Sequence, residues 1–261
     1  MKVDNLFTYP IKSTKGIESK NVIVNKIGFE NDRYYAIVNS DNKIITAREN
    51  PKLLKLQSEI VNDEKLKISF NNRFRIVYLN SNTKECKISI FKNITTGKVF
   101  ENEINIWISE NLKSESRLAK IDFKNLRNNN GVKISFNDCY PIHLITYESF
   151  KTLSKKLENQ IEINRFRPNI IVSGFKAFEE NKWKKIKIGE CEFEVISNTE
   201  RCSLITINPL SGKKELNQEP LRTLAKEFQT NSKVYFGIYL RPIKTGKIYT
   251  NDKVKVISNH I

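Results

Sequence analysis

Several features that define common protein classes are missing from this chain of 261 residues. Its nine glycines form neither a G-x-G pair nor a G-x-x-x-x-G-K-[ST] segment, which excludes the usual dinucleotide, protein-kinase and P-loop fingerprints. No apolar run approaches the eighteen or so residues that span a bilayer, and no targeting signal precedes the first strand-like segment. We therefore expect a cytoplasmic protein without membrane association.

Cysteine and histidine are also scarce. The chain has no C-x-x-C pair, and its candidate metal ligands of these two types are Cys86, Cys139, Cys191, Cys202, His143 and His260. A closed structural zinc site has too few well-spaced ligands, and reduced thiols are expected rather than disulfides. His143 lies in an apolar segment, which is typical of a core imidazole, although a Cys–His dyad remains open.

Positive charge is abundant. The chain carries 45 Lys and Arg against 29 Asp and Glu, a formal net charge of +16, which would attract anionic ligands, acidic proteins or nucleic acid. The lysines are scattered among asparagines from end to end, and no basic arm with interleaved aromatics is present. A general bias in composition therefore explains most of the excess, and nucleic-acid binding is the less favoured interpretation.

The first part of the chain is rich in short β-type segments separated by Asn, Gly and Asp turns. Strands are predicted at residues 20–24, 33–38, 65–70, 75–79 and 87–91. This density favours a barrel or a curled sheet. A helix is predicted where Ile104, Trp107, Ile108 and Leu112 recur at helical spacing.

A linker is predicted at residues 124–131, which end in three asparagines and a glycine. We place a domain boundary there, giving domains of residues 1–124 and 125–261. In the second domain Thr146 is predicted to cap one helix and Pro220 to begin another. Further strands are predicted at residues 169–172, 184–188, 192–196, 203–207, 234–239 and 253–257. The predicted fold class is mixed α+β and β-dominated, with two barrel-like domains and peripheral helices.

Cys202 has the most chemically suggestive surroundings of the four thiols. It follows Arg201 and opens the apolar, β-branched run Ser203 to Ile207. A neighbouring guanidinium favours thiolate, the form of sulfur that attacks electrophiles or binds a soft metal. A free cysteine that simply fills a core remains the alternative.

Three other segments place polar groups at the ends of predicted strands. The segment Tyr9 to Ser13, YPIKS, leaves Lys12 and Ser13 on a loop, where they could meet a phosphate. Asp32 and Arg33 begin one strand, and Arg165 and Arg167 precede another. Each could equally be a surface group or ion pair contributing at most about 1 kcal/mol.

Taken in order, the segments YPIKS, DRYYAIV, ITARENP, RFRPNIIVSG, RCSLITINPLSG, EPLRTL and FGIYL resemble the MOSC-domain proteins. The similarity is to members with an N-terminal β-barrel domain, such as the mitochondrial amidoxime-reducing component and its bacterial relatives. It extends from about Leu6 to about Val256.

The resemblance implies a molybdenum enzyme. Such proteins hold molybdenum on one pyranopterin dithiolene with a cysteine ligand, and that cysteine corresponds to Cys202. By the same resemblance the cofactor-contacting residues are Lys12, Ser13, Arg33, Asp138, Arg167 and Arg201. The implied reaction is the reduction of N-hydroxylated compounds such as amidoximes or hydroxylamines. The redox step belongs to the metal, while the protein orients and tunes the cofactor.

The sequence also departs from the family pattern. Cys139 and Tyr140 stand where relatives tend to carry hydroxyl residues, Tyr35 replaces a tryptophan, and Asn208 replaces an aspartate. No cysteine cluster for a two-iron, two-sulfur centre is present, so a separate ferredoxin-, flavodoxin- or cytochrome-type protein is expected to supply electrons. Two alternatives remain: a molybdenum-cofactor carrier or sulfur-transfer protein that uses a Cys202 persulfide, and a basic β-barrel that binds nucleic acid.

Overall fold

The computed structural model describes residues 1–230 and 232–260. Strands make up 47% of it and helices 16%, which confirms the predicted β-dominated α+β class. The strands before residue 122 are β1 (Lys2–Thr8), β2 (Ile17–Ser19), β3 (Asn21–Asn25), β4 (Gly28–Phe29), β5 (Tyr35–Val38), β6 (Gln57–Asn62), β7 (Lys65–Phe70), β8 (Arg73–Tyr78), β9 (Thr83–Ile90), β10 (Asn93–Phe100) and β11 (Arg117–Ile121). The later strands are β12 (Arg127–Asn129), β13 (Val132–Ile134), β14 (Ile142–Thr146), β15 (Ile170–Ser173), β16 (Trp183–Ile188), β17 (Cys191–Glu200), β18 (Gln229–Thr230), β19 (Lys233–Lys244), β20 (Gly246–Tyr249) and β21 (Val254–Asn259).

Helices are few and short in the described residues. The α-helices are α1 (Ile104–Leu112), α2 (Tyr147–Ser154) and α3 (Leu221–Phe228). The 3-10 helices cover Pro51–Lys55, Ile163–Phe166, Glu179–Lys182 and Ser203–Thr206. None of the helices in residues 1–230 and 232–260 has the length and apolar character needed to cross a membrane.

The largest sheet joins the beginning of the chain to its second half. Its order is β2-β1-β15-β14-β19-β17-β16-β21, with β18 paired to β19. Strand β1 lies antiparallel to β15, with Lys2 opposite Ser173, while β14 and β15 are parallel. Strands β3 and β4 form a second sheet with β20. The first 29 residues therefore contribute four strands to sheets completed by residues beyond 142.

The rest of the first half forms its own strands and core. One sheet has the order β5-β11-β10-β9, and β6, β7 and β8 form another. In β7 every second side chain is buried, namely Leu66, Ile68 and Phe70, as expected for a strand with one face on a core. Helix α1 buries Ile104, Trp107, Ile108 and Leu112, the stripe that its sequence spacing predicts.

Helix starts in the second half also follow the sequence. The Thr146 hydroxyl accepts a hydrogen bond from the Ser149 backbone N–H at the start of α2, which satisfies one of the free N–H groups of the first turn. Pro220 occupies the N-cap position of α3. Both predicted helix starts are confirmed.

Two predictions of local structure are wrong. Residues 203–207 were predicted as a strand, but Ser203–Thr206 form a 3-10 helix held by Ile205 N–H to Cys202 O and Ile207 N–H to Leu204 O. The β-branched side chains point instead into buried positions, with Ile205 and Thr206 each 1% exposed. Part of the predicted linker at residues 124–131 forms the hairpin of β12 and β13. Tertiary packing overrides the β propensity of residues 203–207, whereas the β12–β13 hairpin follows from the local turn at Asn130 and Gly131, which both have positive φ.

Candidate functional site

All seven residues predicted for the site line one cavity of about 90 Å³. They come from five regions of the chain: the loop after β1, the loop before β5, the segment before β14, the segment before β15 and the segment after β17. Lys12, Ser13, Arg33, Asp138, Arg167, Arg201 and Cys202 share this cavity with Asn137, Tyr140, His143, Phe166, Asn169, Glu200, Leu204 and Tyr239. Residues far apart in sequence therefore meet at one place.

Cys202 is exposed at this cavity rather than buried in the core. It follows the end of β17 and acts as the N-cap residue of the 3-10 helix Ser203–Thr206. Its Sγ accepts a hydrogen bond from Arg48 Nη1 at 3.3 Å. Arg48 lies in a tight turn where the backbone N–H groups of Glu49 and Asn50 both donate to Thr46 O. The sulfur is accessible and carries a guanidinium partner.

Arg201 does not contact the sulfur, contrary to what its position in the sequence suggests. Its Nη2 donates to Phe166 O at 2.9 Å, and its guanidinium lies 5.3 Å from the centre of the Phe166 ring. Its Nε is buried without a hydrogen-bond partner among the described residues. Burial lowers the pKa of Arg201 from its ordinary value. Arg201 therefore contributes charge to the cavity wall, and Arg48 provides the direct contact with the thiol.

Lys12 and Asp138 form an ion pair at the cavity. Lys12 is buried, and its Nζ donates to Phe136 O at 2.8 Å and also to Asp138 Oδ1. The Asp138 side chain is 40% exposed, so one edge of its carboxylate remains open. Burial raises the pKa of Asp138, but Lys12, Arg48 and Arg33 outweigh it, and the net pKa is lowered. The carboxylate is thus held ionised and acts as a hydrogen-bond acceptor.

Arg33 is anchored by a buried carboxylate. Its Nη1 donates to Asp32 Oδ2 and, at 3.1 Å, to Asn169 Oδ1. Asp32 is only 3% exposed and also accepts hydrogen bonds from the Tyr9 backbone N–H at 2.8 Å and from Asn169 Nδ2 at 3.1 Å. A surface ion pair would not be enclosed in this way. The Asp32–Arg33 pair is therefore an internal part of the cavity wall, and the surface-pair alternative is wrong.

Two guanidinium groups lie over the ring of Tyr9. The Cζ atoms of Arg33 and Arg167 are 4.3 and 4.2 Å from the ring centre, within the range of cation–π contacts. Tyr9 is buried, and its hydroxyl donates to Pro168 O at 3.0 Å. Burial raises the pKa of Tyr9 to about 12, so the phenol stays neutral. The ring stacks with both cations but does not neutralise them.

Arg167 has unused hydrogen-bonding capacity. Its Nη1 donates to Thr14 O at 2.7 Å, whereas its Nη2 is buried without a partner among the described residues. Burial, together with repulsion from Arg33, lowers the pKa of Arg167 to about 10. A buried cation that lacks a counter-ion and a hydrogen-bond acceptor is destabilised, and a bound anion would relieve both deficits.

Ser13 and His143 occupy the edges of the cavity. Ser13 follows Lys12 with a φ of 68°, a left-handed conformation that lets the loop turn back after β1. His143 pairs with Tyr239 between β14 and β19 and is 5% exposed. Burial lowers the pKa of His143 well below its ordinary value. The predicted buried position of this imidazole is confirmed, although its Nε2 has no hydrogen-bond partner among the described residues.

The cavity carries an excess of positive charge. Its lining includes four cations, Lys12, Arg33, Arg167 and Arg201, against the carboxylates Asp138 and Glu200, and the buried Asp32 pairs with Arg33. Glu200 is paired with Lys233 at 2.9 Å and Asp138 with Lys12, which leaves Arg167 and Arg201 without a carboxylate partner among the described residues. Such a cavity favours an anionic ligand with several hydrogen-bond acceptors.

Sequence reasoning did not identify several residues that build the site. Arg48 lies 154 positions from the sulfur it contacts, so local sequence around Cys202 gives no indication of it. Tyr9 and Asn169 lie close in sequence to predicted site residues, but only the fold reveals their contacts. The Tyr9 ring packs against two guanidinium groups, and the Asn169 side chain forms hydrogen bonds with both Arg33 and Asp32. Arg48 lies in the ITARENP segment, one of the segments that resemble the family, and this resemblance is the sequence feature that could have identified it.

Comparisons with known proteins agree with the resemblance. The model of the MOSC N-terminal beta barrel domain matches residues 1–115, and the model of the MOSC domain matches residues 131–255. The chain is 30% identical to mitochondrial amidoxime reducing component 2 of Rattus norvegicus and 29% identical to that of Bos taurus; each match covers 97% of this chain and 82% of the relative. It is also 30% identical to molybdenum cofactor sulfurase of Caenorhabditis briggsae over 92% of this chain and 33% of that protein. The chain belongs to the MOSC-domain family, whose compared members include proteins named for the molybdenum cofactor and for amidoxime reduction.

Proposed function

We propose that the chain is a molybdenum-cofactor-dependent reductase of N-hydroxylated compounds that receives electrons from a separate redox protein. One observation carries this proposal: the exposed Cys202 thiol opens onto a cavity whose cations outnumber its carboxylates. The 30% identity with an amidoxime reducing component over most of both chains supports the same conclusion.

The residues of the cavity fit the proposed cofactor chemically. A molybdenum pyranopterin offers a soft metal, a ring with hydrogen-bonding edges and a terminal phosphate. The soft metal suits the Cys202 sulfur. The phosphate suits the buried, unpartnered Nη2 of Arg167 and Nε of Arg201, since charge-assisted hydrogen bonds to phosphate are among the strongest available to a protein. The half-open carboxylate of Asp138 suits an N–H donor of the ring.

Each residue then has a defined task in the proposed enzyme. Cys202 binds the metal, and Arg48 holds the sulfur by its hydrogen bond. Arg33 and Arg167 supply positive charge beside Tyr9, and the buried Asp32 fixes Arg33 in place. Lys12 fixes the Asp138 carboxylate, and Ser13 adds a hydroxyl at the turn.

A bound molybdenum cofactor would supply the two-electron chemistry of the reduction, in which two electrons and two protons convert the N-hydroxyl compound to its N–H form and water. The protein positions the metal and its cofactor and supports their charge through preorganised side chains that need little rearrangement. Because no residue of the cavity is itself a redox centre, the electrons come from a partner protein. The net charge of +16 favours an acidic one.

A second candidate function is a cofactor carrier or sulfur-transfer protein in which Cys202 bears a persulfide. One observation favours it: the chain is as similar to molybdenum cofactor sulfurase, at 30% identity, as it is to amidoxime reducing component 2. The chain spans only a third of that sulfurase, so the relation concerns that part alone.

The decisive experiment is expression in a host that makes the molybdenum cofactor, followed by metal and pterin analysis and a reduction assay. Reduced viologen dye would supply the electrons, so that the assay does not depend on the natural donor. Stoichiometric molybdenum with reduction of an amidoxime supports the reductase. Bound pterin without turnover supports the carrier. Protein that takes up no cofactor and binds nucleic acid in a salt-sensitive way would support the basic-barrel alternative.

A further inference from the structure

Phe91 occupies an unusual position for a large apolar residue. Ile90 of β9 pairs with Asn93 of β10, so Phe91 and Lys92 form a two-residue hairpin turn. Phe91 has a φ of 53°, in the left-handed region that favours glycine or asparagine at such turns. Its side chain is 50% exposed. Both the backbone conformation and the exposure oppose phenylalanine at this site, and such outliers suggest a functional constraint.

The Phe91 ring lies beside two cations of the candidate site. Arg48 Cζ is 5.2 Å from the ring centre, and Lys12 Nζ is 5.6 Å from it. Arg48 is also the donor to Cys202 Sγ, while Lys12 pairs with Asp138. The hairpin turn thus places an aromatic side chain in contact with the two cations that hold the thiol and the carboxylate. Phe91 does not itself line the cavity, but it borders the site through its contact with Lys12, which does.

We infer that Phe91 is a specificity-determining residue that selects N-hydroxylated compounds carrying a flat aromatic or conjugated group. This inference rests on the proposed function. The cations of the cavity offer hydrogen bonds to the N–O group, and Tyr140, Phe166, Leu204 and Tyr239 contribute apolar surface to its lining. The exposed part of the Phe91 ring adds an aromatic surface beside Lys12 and Arg48 on which the rest of a flat substrate can stack, because aromatic pairs prefer stacked or edge-to-face contact.

Phe91 also acts as a positioning residue for Arg48. The cation–π contact restrains a half-buried arginine whose other recorded side-chain partner is the Cys202 sulfur. Removal of the ring is therefore expected to loosen the Arg48 side chain as well as to remove the apolar wall. These two effects can be measured separately. Loss of the apolar ring surface changes substrate affinity, whereas loss of the restraint on Arg48 changes turnover for every substrate.

The test compares two substrates with the same reacting group. N-hydroxybenzamidine carries an aromatic ring, and N-hydroxyacetamidine carries a methyl group in its place. The molybdenum-loaded protein is assayed with reduced viologen dye, so that docking of a protein donor does not enter. Phe91→Gly is the main variant, because glycine relieves the left-handed backbone and the variant should fold at least as stably as the wild type. Phe91→Tyr retains the ring.

The matched control is Ile94→Ala. Ile94 lies on the same hairpin and is 65% exposed, and unlike Phe91 it has no aromatic ring beside Lys12 and Arg48. Phe91→Gly should raise the KM for N-hydroxybenzamidine about 3- to 10-fold, the loss expected for one aromatic contact, and leave the KM for N-hydroxyacetamidine within about 2-fold. Phe91→Tyr and Ile94→Ala should resemble the wild type. An equal change in both KM values, or no change in either, would overturn the inference.

A binding measurement separates this inference from the proposed function. N-hydroxybenzamidine is titrated calorimetrically into the wild type, Phe91→Gly and Ile94→Ala. If the wild type binds the compound but does not reduce it, the proposed function fails. The inference is then supported by weaker binding in Phe91→Gly alone and overturned by equal binding in all three proteins. Absence of binding to the wild type also overturns it.

Discussion

Cys202 and Cys191 occupy very different environments, and this difference favours Cys202 as the proposed metal ligand. Cys202 is exposed beside Arg48, whereas Cys191 is fully buried in the core of the large sheet. Burial raises the pKa of Cys191 to about 11, so its thiol stays protonated at neutral pH. An accessible sulfur near a cation suits a metal, and a buried neutral thiol suits packing.

We therefore expect Cys202→Ser to abolish amidoxime reduction while leaving the unfolding midpoint close to that of the wild type. Cys191→Ser should retain activity in the folded fraction but lose about 1–3 kcal/mol of stability, since it buries a hydroxyl without a partner. Viologen-linked assays and denaturant titrations measure the two effects. Equal turnover in Cys202→Ser and the wild type would contradict the assignment of the metal ligand.

The buried arginines give a second prediction, for cofactor occupancy. Arg33→Ala and Arg167→Ala should each lower the pterin content of the purified protein, because both cations lie beside Tyr9 at the cavity. Arg222→Ala is the matched control, since Arg222 is 59% exposed and pairs with Glu219 on the surface. Fluorescence of the released, oxidised pterin measures loading. If both variants contained as much pterin as the wild type, the two arginines would have a structural role and no role in cofactor binding.

At the residue scale the sequence located the thiol that lines the cavity and most of the cations around it through ordered motifs. It assigned the thiol's guanidinium to Arg201 because the two residues are adjacent, but adjacent side chains at the end of a strand point in different directions. Arg48 takes that contact because the turn at Thr46 brings it there. Contacts of this kind depend on tertiary structure and cannot be read from local sequence.

Helix α2 begins on a buried acid, which has consequences for pH dependence. The Thr146 and Ser149 hydroxyls each contact Glu180 Oε2 at 3.0 Å, and Glu180 is fully buried. Burial raises the pKa of Glu180 above its ordinary 4.5. The folded state therefore favours the protonated carboxyl, and its stability decreases as the pH rises from about 4.5 through the higher pKa of the folded state.

We expect Glu180→Gln to remove this dependence. Relative to the wild type, the variant should gain stability between pH 4 and pH 7, because glutamine does not ionise. Denaturant titrations at both pH values measure the difference, and the exposed Glu158→Gln serves as the control. If the stability of the wild type and that of Glu180→Gln changed with pH in parallel, ionisation of the buried Glu180 carboxyl would not destabilise the folded state.

At the element scale the predictions succeeded where periodicity was strong and failed where packing was decisive. Helix α1 and strand β7 carry clear patterns and lie where the sequence places them. The segment Ser203–Thr206 has β-branched residues typical of a strand, yet it forms a 3-10 turn beside the thiol. Its buried Ile205 and Thr206 show that contacts with the core determine its conformation.

For the whole molecule, the site combines residues from the beginning and the end of the chain. Lys12, Ser13 and Arg33 come from the first part, and Arg167, Arg201 and Cys202 come from the second. A ligand that contacts both parts binds only the assembled fold and stabilises it by mass action. Cofactor-loaded protein should therefore unfold at a higher temperature than cofactor-free protein, as measured by calorimetry.

The comparison needs a control for loading. Cys202→Ser purified from the same host should show a smaller increase, because it keeps the cations of the cavity and lacks the proposed metal ligand. An identical midpoint for loaded and cofactor-free wild type would contradict a cavity shared by both parts. The predicted division into domains of residues 1–124 and 125–261 stays a prediction, and separate expression of the two segments would test it.

The net charge of +16 gives a prediction for the electron donor. With an acidic ferredoxin and its reductase as donor, turnover should fall as ionic strength rises from about 0.01 to 0.15 M, where the Debye length shortens from about 30 to 8 Å. Turnover with viologen dye should change little over the same range. A salt-independent rate with the ferredoxin would indicate that the scattered lysines do not guide docking.

The pairing of β1 with β15 constrains how the chain can fold during its synthesis. Lys2 lies opposite Ser173, so β1 can pair with the nearby β2 on one side but has no partner on its other side until β15 has been translated. Meanwhile β1 holds the side chains of Val3, Leu6 and Phe7, all buried in the finished protein. Pairings this distant in sequence form late, because a long loop must close first. The nascent chain therefore carries an apolar strand with one open edge until β15 is made, and binding by a ribosome-associated chaperone would reduce the risk of aggregation.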